Sequence, residues 1–328
     1  MERKAYPAAD RFQAPPPQPP DYEHRFTVVQ YFRYGRDMNL VQTEAPDRPR
    51  AEPFLKWAGG KRLLLPKLLP LMPEPDVGSK YIEPFLGGGA LFFALQPTRS
   101  VLSDANAELV ETYQAVQEEV EEVIRFLAQL NHDEDSYYRV RGSKPRTRAS
   151  RAARFIYLNK TCFNGLYRVN TSGEFNVPFG KHGPALVVCD INQLRRASEA
   201  LQGATVVADD FGAILRRARP GDLVYLDPPY TIAHSNNGFI EYNAKVFSWQ
   251  DQGRLANLAL GLVRRKVKVA ISNAEHHSIR ELYNHSEFTI HRISRNSTMA
   301  GSSEARFSAV ELLIIGSGGV SSSMKGRS

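Results

Sequence analysis

The stretch KYIEPFLGGGALFFAL at residues 80–95 combines a short strand, a run of three glycines and an apolar helix. The alternation continues along the chain, with helical patterns of period three to four at 105–130 and 248–266. Strands that alternate with helices predict an α/β fold with a doubly wound, mostly parallel sheet. The further predicted strands lie in SVLSD (100–104), ATVVADDF (204–211), LVYL (223–226), VKVAISN (267–273) and FTIHRI (288–293).

Small and acidic residues follow several of these strands directly. Gly87 to Gly89, Asp104, Asp210 and Asp227 each come just after a predicted strand. Because ligands of open α/β sheets bind at the carboxyl ends of the strands, we expect these residues to share one site.

Length and composition are those of an ordinary globular protein, with 328 residues of which 42% are hydrophobic and 23% charged. They exclude a fibre, a disulfide scaffold and a wholly disordered chain. The net charge of +7 favours an anionic partner such as nucleic acid. Cys162 and Cys189 cannot build a structural zinc site alone. Without an apolar signal core or a run of about 18 apolar residues, we expect a cytoplasmic protein with no membrane span.

Composition divides the chain into four parts. Eight of its 21 prolines fall in the first 50 residues, which predicts a disordered leader at 1–50. The glycine- and serine-rich end at 316–328 predicts a flexible tail. Residues 51–135 and 183–315 carry the alternating pattern, and 136–182 interrupts it as an insert.

The insert is strongly basic. From Tyr137 to His182 it holds ten Lys and Arg residues and one acid, Glu174. A solvated helix face is one interpretation of such a run. However, aromatic and amide residues interleave in YLNKTCFNGLYRVNTSGEFNVPFGKH, with a turn signal at 170–173. This pattern predicts a β-hairpin carried by a basic helix, the helix neutralising phosphates and the hairpin contacting bases.

The tetrapeptide Asp227-Pro228-Pro229-Tyr230 follows the apolar strand LVYL. An exocyclic amine of a nucleobase is a poor nucleophile, because its lone pair is delocalised into the ring. The Asp227 carboxylate and the Pro228 carbonyl could accept both amine hydrogens and stabilise the developing positive charge. Consecutive prolines make the turn rigid, and Tyr230 offers a face on which a base can stack. The alternative is a turn that simply ends a strand.

The glycine loop at 83–90 suits close approach of a ligand to the backbone, so Phe85, Gly87 and Gly89 are candidate cofactor-binding residues. It is not a nicotinamide fingerprint, because Phe92 stands at the third glycine position. KWAGGKR at 56–62 is not a P-loop either, because it lacks the earlier glycine and has Arg in place of Ser or Thr.

Acceptors after the next strands suit a nucleoside. Asp104 could bind a ribose diol, while Asp210 and Phe211 could bind an adenine amine and ring face. These features favour a purine nucleoside cofactor without phosphates. For Asp104, capping of the following helix is the alternative. Adjacent His276 and His277 point to different faces, so we expect no metal site there.

Five motifs, in chain order, together resemble the Dam-type DNA adenine methyltransferases, the alpha group of the D12 class. The resemblance covers about residues 53–315 and implies a Rossmann-like class I methyltransferase fold with an inserted, mainly helical target-recognition domain. It implies S-adenosylmethionine as cofactor and methylation of adenine N6 after base flipping in double-stranded DNA, within a GATC-like site. The motifs are FLKWAGGK, EPFLGGGA, SDAN, NKTCFNGLYRVNTSGEFNVPFG and DPPY.

The resemblance also implies roles for single residues. Trp57, Lys61, Asp104 and Asp227 match cofactor-binding positions, with Asp227 and Tyr230 also at the flipped adenine. The positions that match DNA contacts are Phe163 and Asn164 as a wedge, and Lys56, Leu166, Arg168, Pro178 and His182 for reading the site. Relatives have tyrosine in place of Phe163, and tyrosine is also expected in place of His182.

The predicted reaction is a direct in-line displacement without a metal or a covalent enzyme intermediate, carried out by a monomer. Three alternatives stay open at this point. They are an N4-cytosine DNA methyltransferase, a catalytically silent DNA-binding regulator, and a methyltransferase acting on protein or RNA.

Overall fold

The computed structural model describes residues 50–183, 186–231, 247–295 and 309–316. Residues 1–49 of the expected leader and 317–328 of the expected tail lie outside these ranges. Within them the strands are β1 Tyr81–Glu83, β2 Ser100–Asp104, β3 Ala204–Ala208, β4 Leu223–Leu226, β5 Lys268–Ala274, β6 Phe288–Arg295 and β7 Ala309–Gly316.

Ten α-helices lie between and beside these strands in the described ranges. They are α1 Leu65–Leu68, α2 Ala90–Leu95, α3 Ala107–Glu118, α4 Val120–Leu127, α5 Glu134–Gly142, α6 Arg148–Thr161, α7 Ile191–Leu201, α8 Phe211–Leu215, α9 Trp249–Arg264 and α10 His277–Leu282.

The strands form a single sheet in the order β3-β2-β1-β4-β5-β7-β6. The first five are parallel, and β7 runs antiparallel to both β5 and β6. The doubly wound, mostly parallel α/β sheet predicted from the sequence is therefore confirmed. Its strand order reverses between β1 and β4, and the carboxyl ends of these two strands flank the crevice where such folds bind ligands.

Two hydrophobic clusters cover the two faces of the sheet. Tyr225 belongs to one cluster, and its neighbours Val224 and Leu226 belong to the other. Successive side chains of a strand point to opposite faces, so a strand buried on both sides reads as the continuous apolar run LVYL. All four residues of β4 are buried.

The insert at 136–182 contains most of α5, all of α6 and a hairpin. Isolated bridges pair Cys162 with Phe179 and Val169 with Phe175, so the predicted helix and hairpin are present. The insert is not a separate compact unit, because Tyr137 and Phe155 belong to the same buried cluster as core residues of the sheet.

Two elements differ from the sequence pattern. The helical pattern at 105–130 is broken at Glu119, where φ is −132°, and the Glu119 carboxylate accepts a hydrogen bond of 2.6 Å from Arg148 Nε. Strand β7 was not predicted, and it extends to Gly316, the first residue of the expected tail. Among the helices of the described ranges, none is long and apolar enough to cross a bilayer.

Candidate active site

Asp227 lies at the carboxyl end of β4, beside the buried ammonium of Lys61. Lys61 Nζ is 2.8 Å from Asp227 Oδ1, and the Asp227 side chain keeps 19% of its surface exposed. Burial raises the pKa of Asp227, and the charge of Lys61 opposes that rise. Among the described residues, no side chain or amide other than Lys61 is hydrogen-bonded to the Asp227 carboxylate. Its Oδ2 atom can therefore accept a further hydrogen bond.

Lys61 is the centre of a four-residue cluster, which we call the lysine cluster: Lys61, Asp227, Tyr230 and Glu311. Besides Asp227, the Lys61 ammonium lies 3.6 Å from Glu311 Oε2 and 4.8 Å from the centre of the Tyr230 ring. The Tyr230 hydroxyl donates a 2.7 Å hydrogen bond to Glu311. Glu311 belongs to β7, so sequence reasoning missed it together with that strand.

The turn after β4 is held from the side of α9. Gln252 donates a 3.3 Å hydrogen bond to the Pro229 carbonyl, and the Thr231 hydroxyl donates one of 2.6 Å to the Phe247 carbonyl. Pro228 itself is buried. The residues predicted to act on an amine, Asp227, Pro228 and Tyr230, are thus brought together on a rigid turn.

The glycine loop between β1 and α2 lies against Trp57. Gly87 and Gly89 adopt positive φ values of 47° and 65°. A Cβ atom at Gly87 would lie 2.6 Å from Trp57 Cδ1, so only glycine fits there. The Tyr113 hydroxyl donates a 3.1 Å hydrogen bond to the Gly87 carbonyl, which fixes the loop further.

Asp104, at the end of β2, supports the same loop. Its carboxylate accepts hydrogen bonds from the Gly87 amide at 3.0 Å and the Asn106 amide at 2.9 Å. Burial raises the pKa of Asp104. Capping of the next helix by Asp104, the alternative interpretation, is wrong: Asn106 caps α3 by accepting from the Leu109 amide.

Asp210 and Phe211 share a partner that the sequence did not indicate, Arg254 of α9. Its guanidinium donates hydrogen bonds of 2.9 and 2.8 Å to the two Asp210 oxygens, and it lies 4.0 Å from the centre of the Phe211 ring. Arg254 lowers the pKa of Asp210. Phe85 and Phe247 pack against Phe211 with ring centres 5.5 and 5.6 Å away.

The insert reaches this site through aromatic contacts. The Trp57 ring is stacked on Tyr167 and Phe155, with centre-to-centre distances of 5.8 and 6.4 Å. The adjacent Lys56 Nζ lies 3.5 Å from the Lys160 carbonyl oxygen. Trp57, which is predicted for the cofactor, is therefore in direct contact with the insert that carries most of the residues predicted for DNA recognition.

Most of the predicted DNA-contacting residues lie on the hairpin surface. Phe163 keeps 50% of its surface exposed, and Asn164 is exposed with a positive φ of 55°. Pro178 is also exposed, and its carbonyl accepts a 2.9 Å hydrogen bond from the Phe163 amide. Arg168 is exposed and donates a 2.8 Å hydrogen bond to the Asn176 side chain. Leu166 is half-buried.

His182 differs from these exposed residues. Its Nε2 lies 2.6 Å from the Thr161 carbonyl oxygen, and its ring packs edge-on against Phe179. Because a carbonyl only accepts, Nε2 donates to the backbone of the insert itself. The partly buried His182 ring therefore stabilises the base of the hairpin.

Three arginines of the basic helix have partners within the protein, and phosphate binding by this helix stays a prediction. Arg148 pairs with Glu118 and Glu119, and Arg151 pairs with Glu111. Arg154 donates to the Val140 and Arg141 carbonyls. The acidic helix α3 neutralises Arg148 and Arg151, so these two arginines attach the insert to the core.

The rings of His276 and His277 lie with their centres 4.2 Å apart, so the expectation that these adjacent histidines point to different faces is wrong. His276 Nδ1 accepts from the Ser278 amide at 3.3 Å and so caps α10. Within the described ranges, no three His, Cys, Asp or Glu side chains are placed to hold a metal ion.

Comparisons with known proteins agree on one family. Residues 57–299 match the model of the D12 class N6 adenine-specific DNA methyltransferases. The chain is 36% identical over 287 residues to the Type II methyltransferase M1.LlaDCHI of Lactococcus lactis subsp. cremoris, covering 84% of this chain and 98% of that protein. It is 36% identical over 244 residues to the Type II methyltransferase M.MjaIII of Methanocaldococcus jannaschii (68% and 84%). Identity to the DNA adenine methylase of Escherichia coli K12 is 32% over 278 residues (83% and 98%).

Proposed function

The chain belongs to the D12 class of N6 adenine-specific DNA methyltransferases, and on that premise we propose that it methylates a flipped adenine within a GATC-like site of duplex DNA. The family resemblance inferred from the five sequence motifs is thereby confirmed, and the protein is an enzyme. The alternatives outside this family, a silent regulator and a methyltransferase of protein or RNA, find no support.

The observation that carries the proposal is the geometry of Asp227. One carboxylate oxygen is held by Lys61 at 2.8 Å, and the other is available to a donor at the end of β4. Asp227 Oδ2 and the Pro228 carbonyl each accept a hydrogen bond from one N–H of the adenine amine. These two hydrogen bonds localise the lone pair on the nitrogen. Because both acceptors are held before the base arrives, they stabilise the positive charge that develops on the nitrogen. Tyr230 stacks on the base.

The proposed methyl donor is S-adenosylmethionine, whose sulfonium supplies the methyl group when bound. The glycine loop at 83–90 supports this proposal: a Cβ at Gly87 would lie 2.6 Å from Trp57, so glycine lets the Trp57 ring lie against the loop, and Asp104 accepts a hydrogen bond from the Gly87 amide. Trp57, Lys61, Phe85, Gly89, Asp210 and Phe211 complete the proposed cofactor site.

For DNA recognition, we assign the exposed hairpin residues. Phe163 and Asn164 would enter the duplex beside the target, and Arg168 would donate to a guanine in the major groove. Lys56, Leu166 and Pro178 would complete the reading surface. We assign His182 no base contact, because its ring nitrogen is bound within the insert. We further propose that the enzyme acts in the cytoplasm as a monomer.

The proposal is tested by incubating the protein with labelled S-adenosylmethionine and a randomised duplex library, then mapping the modified base. We expect N6-methyladenine in one short sequence. Asp227→Ala should abolish transfer while the protein still folds, which circular dichroism checks. Asp76→Ala, which removes a surface ion pair with Lys268, serves as the matched control and should retain activity. Wild-type turnover by Asp227→Ala, or N4-methylcytosine as product, would overturn the proposal.

A further inference from the structure

Glu311 is a buried acid of the lysine cluster that the proposed reaction does not yet use. It is 8% exposed, and its Oε2 lies 2.7 Å from the Tyr230 hydroxyl and 3.6 Å from Lys61 Nζ. It therefore contacts both the residue proposed to stack on the target base and the cation that holds Asp227.

The backbone holds Glu311 firmly in place. Its strand β7 lies between β5 and β6, where Glu311 is paired with Ala274 on one side and Ile293 on the other. A residue on a strand with neighbours at both edges moves less than a loop residue. The Glu311 carboxylate is thus a fixed point from which Tyr230 and Lys61 can be oriented.

Charge counting gives Glu311 a second consequence. Lys61 brings one positive charge, and Asp227 and Glu311 bring two negative charges. With Glu311 the cluster is net negative; with an amide in its place, Lys61 and Asp227 cancel. A net negative charge in a poorly solvated site stabilises a nearby cation.

We propose that Glu311 is a positioning residue, which fixes the Tyr230 ring and offsets the charge of Lys61 so that Asp227 faces the reacting amine with a net negative charge behind it. This inference rests on the proposed function of Asp227 and Tyr230. It predicts that loss of the Glu311 charge impairs the chemical step and the binding of a cation, without impairing folding.

The first test replaces the carboxylate by an amide of the same shape, Glu311→Gln. We expect kcat to fall about tenfold while KM for DNA changes less than about threefold, because only charge and orientation are altered. Glu275→Gln is the matched control, since Glu275 directly follows Ala274, the β5 residue paired with Glu311, but forms ion pairs with surface Arg280 and Arg292. The control should behave as wild type.

A second readout measures cofactor binding by calorimetry without DNA. S-adenosylmethionine carries a positive sulfur, whereas S-adenosylhomocysteine has a neutral one. In Glu311→Gln we expect affinity for the first to fall about fivefold or more and affinity for the second to change less than about twofold. An equal change for both ligands would contradict the charge component of the proposal.

The pH profile supplies a third readout, since Glu311 raises the pKa of Asp227. The charged or titratable groups around Asp227 are Lys61, Tyr81, Glu83, Tyr225, Tyr230 and Glu311. Removal of the Glu311 charge should move the acid limb of kcat/KM to lower pH. Glu311→Asp keeps the charge but shortens the side chain, so its kcat should fall with the acid limb retained.

Coupling to Tyr230 is tested with Tyr230→Phe, which removes only the hydroxyl. If Glu311 positions the ring through that hydroxyl, the double variant should lose less than the product of the two single losses. Should Glu311→Gln fail to fold, Glu311→Asp tests the positioning role: its kcat should fall with the acid limb unchanged, and a wild-type kcat would overturn the proposal. An inactive Asp227→Ala together with a fully wild-type Glu311→Gln would overturn this inference alone. An active Asp227→Ala would overturn the proposed function beneath it.

Discussion

The Asn159 side chain is hydrogen-bonded to both backbone groups of Lys56. Its Oδ1 accepts from the Lys56 amide at 2.8 Å, and its Nδ2 donates to the Lys56 carbonyl at 2.7 Å. Asn159 lies on α6 of the insert, whereas Lys56 precedes Trp57 of the proposed cofactor site. This buried side-chain amide therefore ties the insert to the segment that carries Trp57, whose ring lies against the glycine loop.

Replacing this amide should weaken that connection. Asn159→Ala leaves two backbone groups of Lys56 without these partners, so we expect the free energy of unfolding to fall by about 1–3 kcal/mol. Urea denaturation measures it. Asn284→Ala, at an exposed asparagine, should change stability by less than about 0.5 kcal/mol. Equal stability of the two variants would argue against the connection.

The close contact between the glycine loop and Trp57 can be tested by a pair of alanine substitutions. Gly87 and Gly78 both have positive φ, so either substitution carries backbone strain, but a Cβ at Gly78 meets no atom within 4 Å. Gly87→Ala should destabilise the protein by about 1–3 kcal/mol more than Gly78→Ala, because Trp57 must shift. Denaturant unfolding of both variants gives the comparison, and no difference would mean that Trp57 moves freely.

Buried Glu83 predicts a pH dependence of stability. Burial raises its pKa from 4.5 to about 8 in the folded protein. Between these values the folded state keeps a proton that the unfolded state has lost, so its contribution to stability falls as pH rises. The slope is up to about 1.4 kcal/mol per pH unit. Glu83→Gln still accepts from the Tyr81 hydroxyl and should lose this slope in urea titrations from pH 5 to 8. Surface Glu281→Gln should keep it.

Lys61 should set the acid limb of the reaction. Its charge opposes the burial that raises the pKa of Asp227. In the proposed reaction Asp227 must be ionised to accept a hydrogen bond from the amine, so Lys61→Met should move the acid limb of kcat/KM to higher pH, with lower rates near neutrality. Measured pH–rate profiles check this, with melting temperatures as the control for folding. A limb at the wild-type position would contradict the pairing.

Arg168 should affect specificity rather than overall binding. Arg168→Ala should lose about 1–3 kcal/mol of discrimination at one base pair, because one donor to a base edge is removed. Competition between duplexes that differ at single positions measures the loss. Arg151→Ala is the matched control: Arg151 pairs with Glu111, so its loss should lower stability without changing the preferred sequence.

Local pattern was sufficient for much of the fold. SVLSD and LVYL correspond to β2 and β4 residue for residue, and LVYL is the unbroken apolar run expected of a strand that is buried on both faces of a parallel sheet. The sequence pattern does not predict β7, because AVELLIIG contains a glutamate within its apolar run and ends in a glycine. The signal present was the run of four apolar residues after Glu311.

The sequence by itself determined the order of strands and helices, the rigid turn at Asp227 and the basic insert, because apolar period, proline and glycine act on their nearest neighbours along the chain. Only the tertiary structure decided which charges meet. Lys61 forms ion pairs with Asp227 and Glu311, which lie at least 166 residues away along the chain. Arg254 pairs with Asp210, and two arginines of α6 pair with glutamates of α3. The strength of an ion pair depends on the distance between the two charges and on their desolvation. The spacing of residues along the chain determines neither of these quantities.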